Sequence, residues 1–212
     1  VTAAPRSRRA YAPRLPPEQR RDQLLDVALG LALTGGFGAV TIDAVARHAG
    51  VTRPVVYGVF ADRAALTHAL LEREQAHALD QLAAALPRVP PPGSDIDPDA
   101  LLVRGLEAYL SAISTHPDTW RMVLFPPEGA PPELRASIAA GRRVSLARLR
   151  ELTDWGLHGR GLPGVDPDLF ARAVLTLSEG AGRMVLADPE RYPVETFTGF
   201  TRALLAALRP GA

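Results

Sequence analysis

Residues 41–63 read TIDAVARHAGVTRPVVYGVFADR, and their spacing predicts two short helices joined by a glycine turn. Thr41 is placed to cap the first helix, whose apolar residues Ile42, Val45, Ala46 and Ala49 fall at i, i+3, i+4 and i+7. Gly50 can take the left-handed backbone that ends it. Thr52 is placed to cap the second helix, with Val56 and Phe60 turned inward. Two helices of about nine residues, with the small Ala46 where they cross, pack at a steep angle and present the second to a major groove of DNA. Thr52, Arg53, Pro54, Val55, Tyr57 and Gly58 then lie on the outward side.

Upstream, Pro16 and Pro17 suit a first helical turn, and Leu24, Val27, Ala28 and Leu31 recur at helical spacing until Gly35-Gly36. Residues 1–15 lack periodicity and read as a flexible basic arm. Downstream, Asp62 caps a longer helix carrying Leu66, Leu70, Leu79, Leu82 and Leu86, and Pro87 stops it. The stretch 88–97 is a loop by composition. Four helix starts with proline in the first turn follow, at Asp97-Pro98, His116-Pro117, Pro131-Pro132 and Asp166-Pro167, and a last helix runs from Val194 to Arg209. No stretch alternates as a strand does. The expected fold is all-α with about nine helices: a three-helix helix-turn-helix domain at 16–63, then a larger helical domain at 64–212 for ligand binding and dimerisation.

Composition narrows the function. The chain has 212 residues, 47% hydrophobic, 22% charged and 6% aromatic, which fits a globular fold and neither a disordered nor a membrane-spanning one. Without cysteine there is no disulfide, thiolate metal site or cysteine nucleophile. The five histidines lack metal-ligand spacing and no G-x-S-x-G elbow occurs, so no enzyme, metal or cofactor is expected. With neither a membrane span nor a secretory signal visible, a cytoplasmic location is expected. The net charge of +1 divides unevenly. Residues 1–63 hold nine arginines against five acids, and the rest 15 against 18, so the positive charge lies at the end that carries the paired short helices.

The stretch 18–70 resembles the TetR-type regulator family. The likeness rests on Gly36-Phe37, on Thr41, on Ala49-Gly50-Val51-Thr52 through Tyr57 to Phe60, and on Asp62-Arg63. It implies a nine-helix fold, a dimer formed through the last two helices and ligand-controlled DNA binding. By resemblance, Thr41, Thr52, Tyr57 and Arg63 match phosphate-contacting positions, and Arg53, Pro54 and Val55 match positions that approach bases. Elementary chemistry agrees, since helix starts bind phosphate and arginine pairs with guanine. Two departures stand out: Gly58, where the family commonly has a long polar residue, and Val59, where it has His or Tyr. A glycine in the helix is expected to weaken it and to shift base reading onto Arg53 and Val55. Arg6, Arg8, Arg9 and Arg14 of the arm are candidates for a flanking minor groove.

In the C-terminal part, Phe170, Ala173, Leu177, Gly180 and Met184 of one helix and Phe197, Phe200 and Leu204 of the last are the candidate dimer interface, with small residues allowing close helix contact. Tyr109, His116, Trp120, Met122, Phe125 and Trp155, with His158 nearby, are the candidate lining of a ligand pocket. The proline-rich 126–132 and glycine-rich 156–164 segments are candidate gates to it. The expectation is therefore a homodimeric repressor that binds a palindromic duplex operator and is released by a small, mainly apolar or aromatic ligand. The alternatives are a regulator of the same fold controlled by a protein partner or by no ligand, and a dimeric small-molecule binder in which Gly58 and Val59 have abolished DNA binding.

Overall fold

The computed structural model describes residues 15–91, 93–162 and 164–208. The arginines of the N-terminal arm and Arg209 lie outside that range. The described residues form helices and no strand: α1 (Pro17–Gly35), a 3₁₀ turn (Phe37–Ala39), α2 (Ile42–His48), α3 (Arg53–Tyr57), α4 (Arg63–Ala85), α5 (Pro98–Thr115), α6 (Pro117–Leu124), α7 (Pro132–Gly159), α8 (Pro167–Ala187) and α9 (Val194–Ala207). Every helix start expected from a proline in its first turn is found, and Asp97 and Asp166 cap α5 and α8 through their carboxylates. No helix among the described residues is long and apolar enough to cross a membrane.

The chain divides into two compact units, Val1–Leu70 and Leu71–Ala212. The division falls seven residues beyond Arg63, inside α4, because Leu66, Ala69 and Leu70 are buried with the first unit. Its core is Leu24, Leu25, Ala28, Leu29 and Ala32 of α1 against Phe37, Val40, Val45, Val56 and Phe60. The buried stripe of α1 thus differs from the expected one: Leu25 and Leu29 are inside, while Val27 and Leu31 are only half-buried. Several pairs of the helical period fit this sequence, and only the position of α2 selects between them.

In the second unit Leu110, Ile113, Trp120, Leu124, Ala181, Val185 and Leu186 form the buried centre where α5, α6 and α8 meet. Gly182 makes that meeting possible. A Cβ there would lie 2.6 Å from Cδ1 of Ile113 and 3.1 Å from Cδ1 of Leu124. The glycine-rich segment 156–164, a candidate gate, begins as the end of α7 through Gly159, and Gly156 and Gly159 lie against Pro98, where a Cβ would meet its ring at 3.5 and 3.1 Å.

Candidate nucleic-acid interface and enclosed cavity

The helix-turn-helix is built from its caps. Thr41 Oγ1 accepts from the Ala44 N–H at 3.1 Å and starts α2. At the other end Gly50 has φ 67°, and the N–H groups of Gly50 and Val51 donate to the carbonyls of Arg47 and Ala46, the paired bonds of a Schellman turn. That turn sends the chain straight into α3. Both helices are shorter than expected, seven and five residues, because Ala49 and Gly58 already serve as their C-caps. Gly58 therefore sits at the end of α3 with an ordinary φ of −68°, so it costs less helix stability than an interior glycine would.

Val56 is fully buried beneath α3, while Thr52, Arg53, Pro54 and Tyr57 are exposed and Val55 is half-buried. The expected outward residues thus share one surface. Thr52 caps by position alone, since its side chain makes no cap hydrogen bond. Arg53 is ion-paired with Asp43 of α2, both more than half exposed. Such a pair is held by well under ~1 kcal/mol, so the guanidinium can exchange partners readily. Asp43 went unremarked in the sequence; its spacing of ten residues from Arg53 becomes a contact only once the turn is folded.

Arg63 has a further task. Its Nε donates to the Val40 carbonyl and its Nη2 to the Phe37 carbonyl, each at 2.7 Å. Two of its five N–H groups thus tie the start of α4 to the 3₁₀ turn, and the side chain is an anchor of the unit whatever else it meets. Phe60 is buried, with the Arg21 guanidinium 5.0 Å over its ring.

In the second unit an apolar cavity of about 170 Å³ runs among α4 to α9. Of the residues expected to line it, Tyr109, Trp120, Met122 and Trp155 do. His116 and Phe125 do not: His116 is the junction between α5 and α6, and Phe125, just past α6, is 46% exposed. His158 is exposed, and the 126–132 segment supplies no wall residue. Tyr109 packs edge-on against Trp120, ring centres 5.2 Å apart. Burial, with the Glu179 carboxylate nearby, raises the Tyr109 phenol above its ordinary range.

The wall also carries charge that the sequence did not announce. Glu74 accepts from the Thr119 hydroxyl at 2.6 Å and from Arg73; Glu179 is paired with Arg142; Asp99 and Arg160 pair at 3.4 Å. Trp120 Nε1 donates to Gln81 Oε1 at 2.7 Å, a second tie between α4 and α6. An isolated acid inside an apolar helical stripe, as Glu179 is in α8, is the signal that could have found the Arg142 pair. Among the described residues no group of His, Cys, Asp and Glu could hold a metal ion.

On α8 and α9 the expected dimer residues separate into two sets. Ala173, Leu177 and Met184 on α8 and Phe200 and Leu204 on α9 are exposed, with Leu177 at 70% and Phe200 at 67%, and Leu169 and Leu208 extend the same apolar surface. Gly180 has open space beside it. Phe170 instead lines the cavity, and Phe197 packs on the central cluster beside Tyr192. Both are half-buried and share nearly the same helix direction as Leu177 and Leu204 seven residues on, so helical spacing alone does not separate them.

A capped helix-turn-helix in the first unit is followed by an all-helical second unit that encloses an apolar cavity. Residues 24–70 match the model of the tetR family of bacterial regulatory proteins. The chain is similar to the HTH-type transcriptional regulator EthR of Mycolicibacterium smegmatis, 28% identical over 123 residues, which are 57% of this chain and 52% of that protein. The match therefore spans about half the length of that relative. Among solved structures, a TetR-like regulator from Rhodococcus sp. RHA1 is similar with a TM-score of 0.68 at 23% identity, over 91% of this chain and 99% of that one. MbdR from Azoarcus sp. CIB gives 0.68 at 22%, over 91% and 98%. FadR from Bacillus subtilis, in complex with stearoyl-CoA, gives 0.60 at 14%, over 90% and 98%. At these identities the likeness is one of fold.

Proposed function

We propose that the chain is a homodimeric repressor that binds a two-fold operator through α3 and leaves it when a small, mainly apolar or aromatic ligand fills the cavity. Thr52, Arg53, Pro54, Val55 and Tyr57 form the DNA-facing surface, with Thr41 and the free N–H groups of Arg63 toward phosphate. Arg53 reads a guanine after exchanging Asp43 for the base edge. The exposed apolar rows of α8 and α9 form the two-fold contact, because a surface of this kind on a stable protein is covered by a partner.

The observation that carries the coupling is the double membership of α4. Its residues up to Leu70 belong to the first unit, while Glu74, Ala78, Leu79 and Leu82 line the cavity of the second. A ligand that shifts this continuous helix moves α3 with it, provided it binds the two arrangements unequally. Selection of binding duplexes from a random pool, followed by release in a compound screen, tests this. A palindromic consensus and loss of DNA affinity on ligand binding are expected; no selected sequence, or unchanged affinity under saturating ligand, contradicts it.

A further inference from the structure

The cavity wall carries paired charges and unpaired hydroxyls. The charged groups, Glu74, Asp99, Arg142, Arg160 and Glu179, all have partners of their own. The hydroxyls of Tyr109, Ser137, Ser145 and Ser178 line the same cavity and make no hydrogen bond with another described residue. They are open to the cavity, since among the described residues Ser94 Oγ is the one sealed side-chain polar atom without a partner. Ser145 follows Arg142 by three residues on one face of α7, so its hydroxyl and that of Tyr109 lie on the side of the cavity that carries the Arg142–Glu179 pair.

On the reading that this cavity binds the controlling ligand, we infer that the ligand is uncharged: an apolar body carrying a carbonyl or similar acceptor that takes hydrogen bonds from Tyr109 and Ser145. A charged head would find no free counter-ion. An anion at Arg142 would compete with buried Glu179, which Arg142 holds and which Arg183 reaches only at 3.7 Å, and a cation at Glu179 would compete with the same two arginines. The phenol, which burial holds protonated, has an O–H to give to a ligand acceptor and can also accept.

Both tryptophans of the chain line the cavity, so intrinsic fluorescence reports its occupancy. The full-length chain is titrated with methyl decanoate, decanoate, decyltrimethylammonium and decane, each below its aggregation point, with melting temperature as a second readout. The ester is expected to bind about tenfold or more tighter than either ion. Tyr109→Phe, which keeps the ring stack, is expected to weaken the ester by roughly fivefold while leaving decane unchanged, and Ser145→Ala to act in the same direction. Equal or tighter binding of decanoate or the cation overturns the inference, as does an ester-to-decane ratio that neither variant changes; in both cases ligand binding by the cavity stands. If no probe perturbs fluorescence or melting, the ligand-controlled reading falls with it, while DNA binding, measured separately by duplex titration, remains to be judged by itself.

Discussion

The guanidinium of Arg63 donates to the carbonyl of Val40 across 23 residues of chain, at 2.7 Å, and this bond closes the first unit. With its companion to Phe37 it fixes the corner between α1 and α2, from which α2 and then α3 are hung. The arginine proposed to meet phosphate is thereby also the residue that ties the start of α4 to the 3₁₀ turn.

Arg63→Ala is expected to destabilise the first unit by about 1–3 kcal/mol, because two carbonyls lose a charged donor. Amide exchange at residues 37–40 is expected to accelerate ahead of the rest of the chain. Arg63→Lys restores charge but not the forked geometry, and is expected to recover little of the protection. Full protection in the alanine variant would show that the corner closes without it.

Asp43→Asn is expected to change stability by less than ~1 kcal/mol, since the pair it forms with Arg53 is exposed. It removes a negative charge beside α3 and frees the arginine. Affinity for duplex DNA is therefore expected to rise several-fold, most at low salt, in a fluorescence anisotropy titration. A fall in affinity would mean that Asp43 positions Arg53 on DNA.

Gly182→Ala places a methyl 2.6 Å from Ile113 Cδ1 in a site with no spare room. The gain in helix propensity of ~1 kcal/mol is smaller than the ~1–3 kcal/mol cost of overpacking. A net loss of about 1–2 kcal/mol is expected in denaturant unfolding. Ile113→Val removes the clashing atom, so the double variant is expected to be less destabilised than the sum of the singles. Simple additivity would refute the steric account.

The Tyr109 phenol gives a stability signature at high pH. Its folded value lies above its ordinary 10.0, so the unfolded chain releases this proton first as pH rises. The stability it contributes is complete below pH 10 and declines above it. Tyr109→Phe is expected to flatten the fall in unfolding free energy above pH 10, and an unaltered slope would place the phenol in contact with water.

Leu177→Glu with Phe200→Glu is expected to turn a dimer into a monomer in sedimentation velocity and to lower operator affinity, since two linked half-sites become one. A parent chain that sediments as a monomer would remove the α8–α9 contact from the account.

Local chemistry explains what was legible in the sequence. Proline in first turns and Asp97, Asp166 and Thr41 at caps fix helix starts through contacts only a few residues long, so those starts were found. Tyr109, Trp120, Met122 and Trp155 were found because large rare side chains in a small-residue chain have few places to go. That Phe170 lines the cavity and Phe197 packs on the central cluster was not legible, because helical spacing shows that an apolar face exists and not which neighbour covers it. Asp43–Arg53, Arg142–Glu179 and Glu74–Thr119 join residues 10, 37 and 45 positions apart, and such pairs exist only in the fold.

The central claim is that α3 lies in a groove of duplex DNA with Arg53 on a base. The most direct measurement is the affinity of Arg53→Ala for a selected operator and for a variant with the contacted guanine replaced, over a range of salt. The account predicts a loss of about tenfold or more on the selected site, no further loss on the replaced one, and a nearly unchanged salt slope. Equal loss on both duplexes, with a salt slope reduced by about one, would place Arg53 on phosphate; unchanged binding to both would remove α3 from the interface.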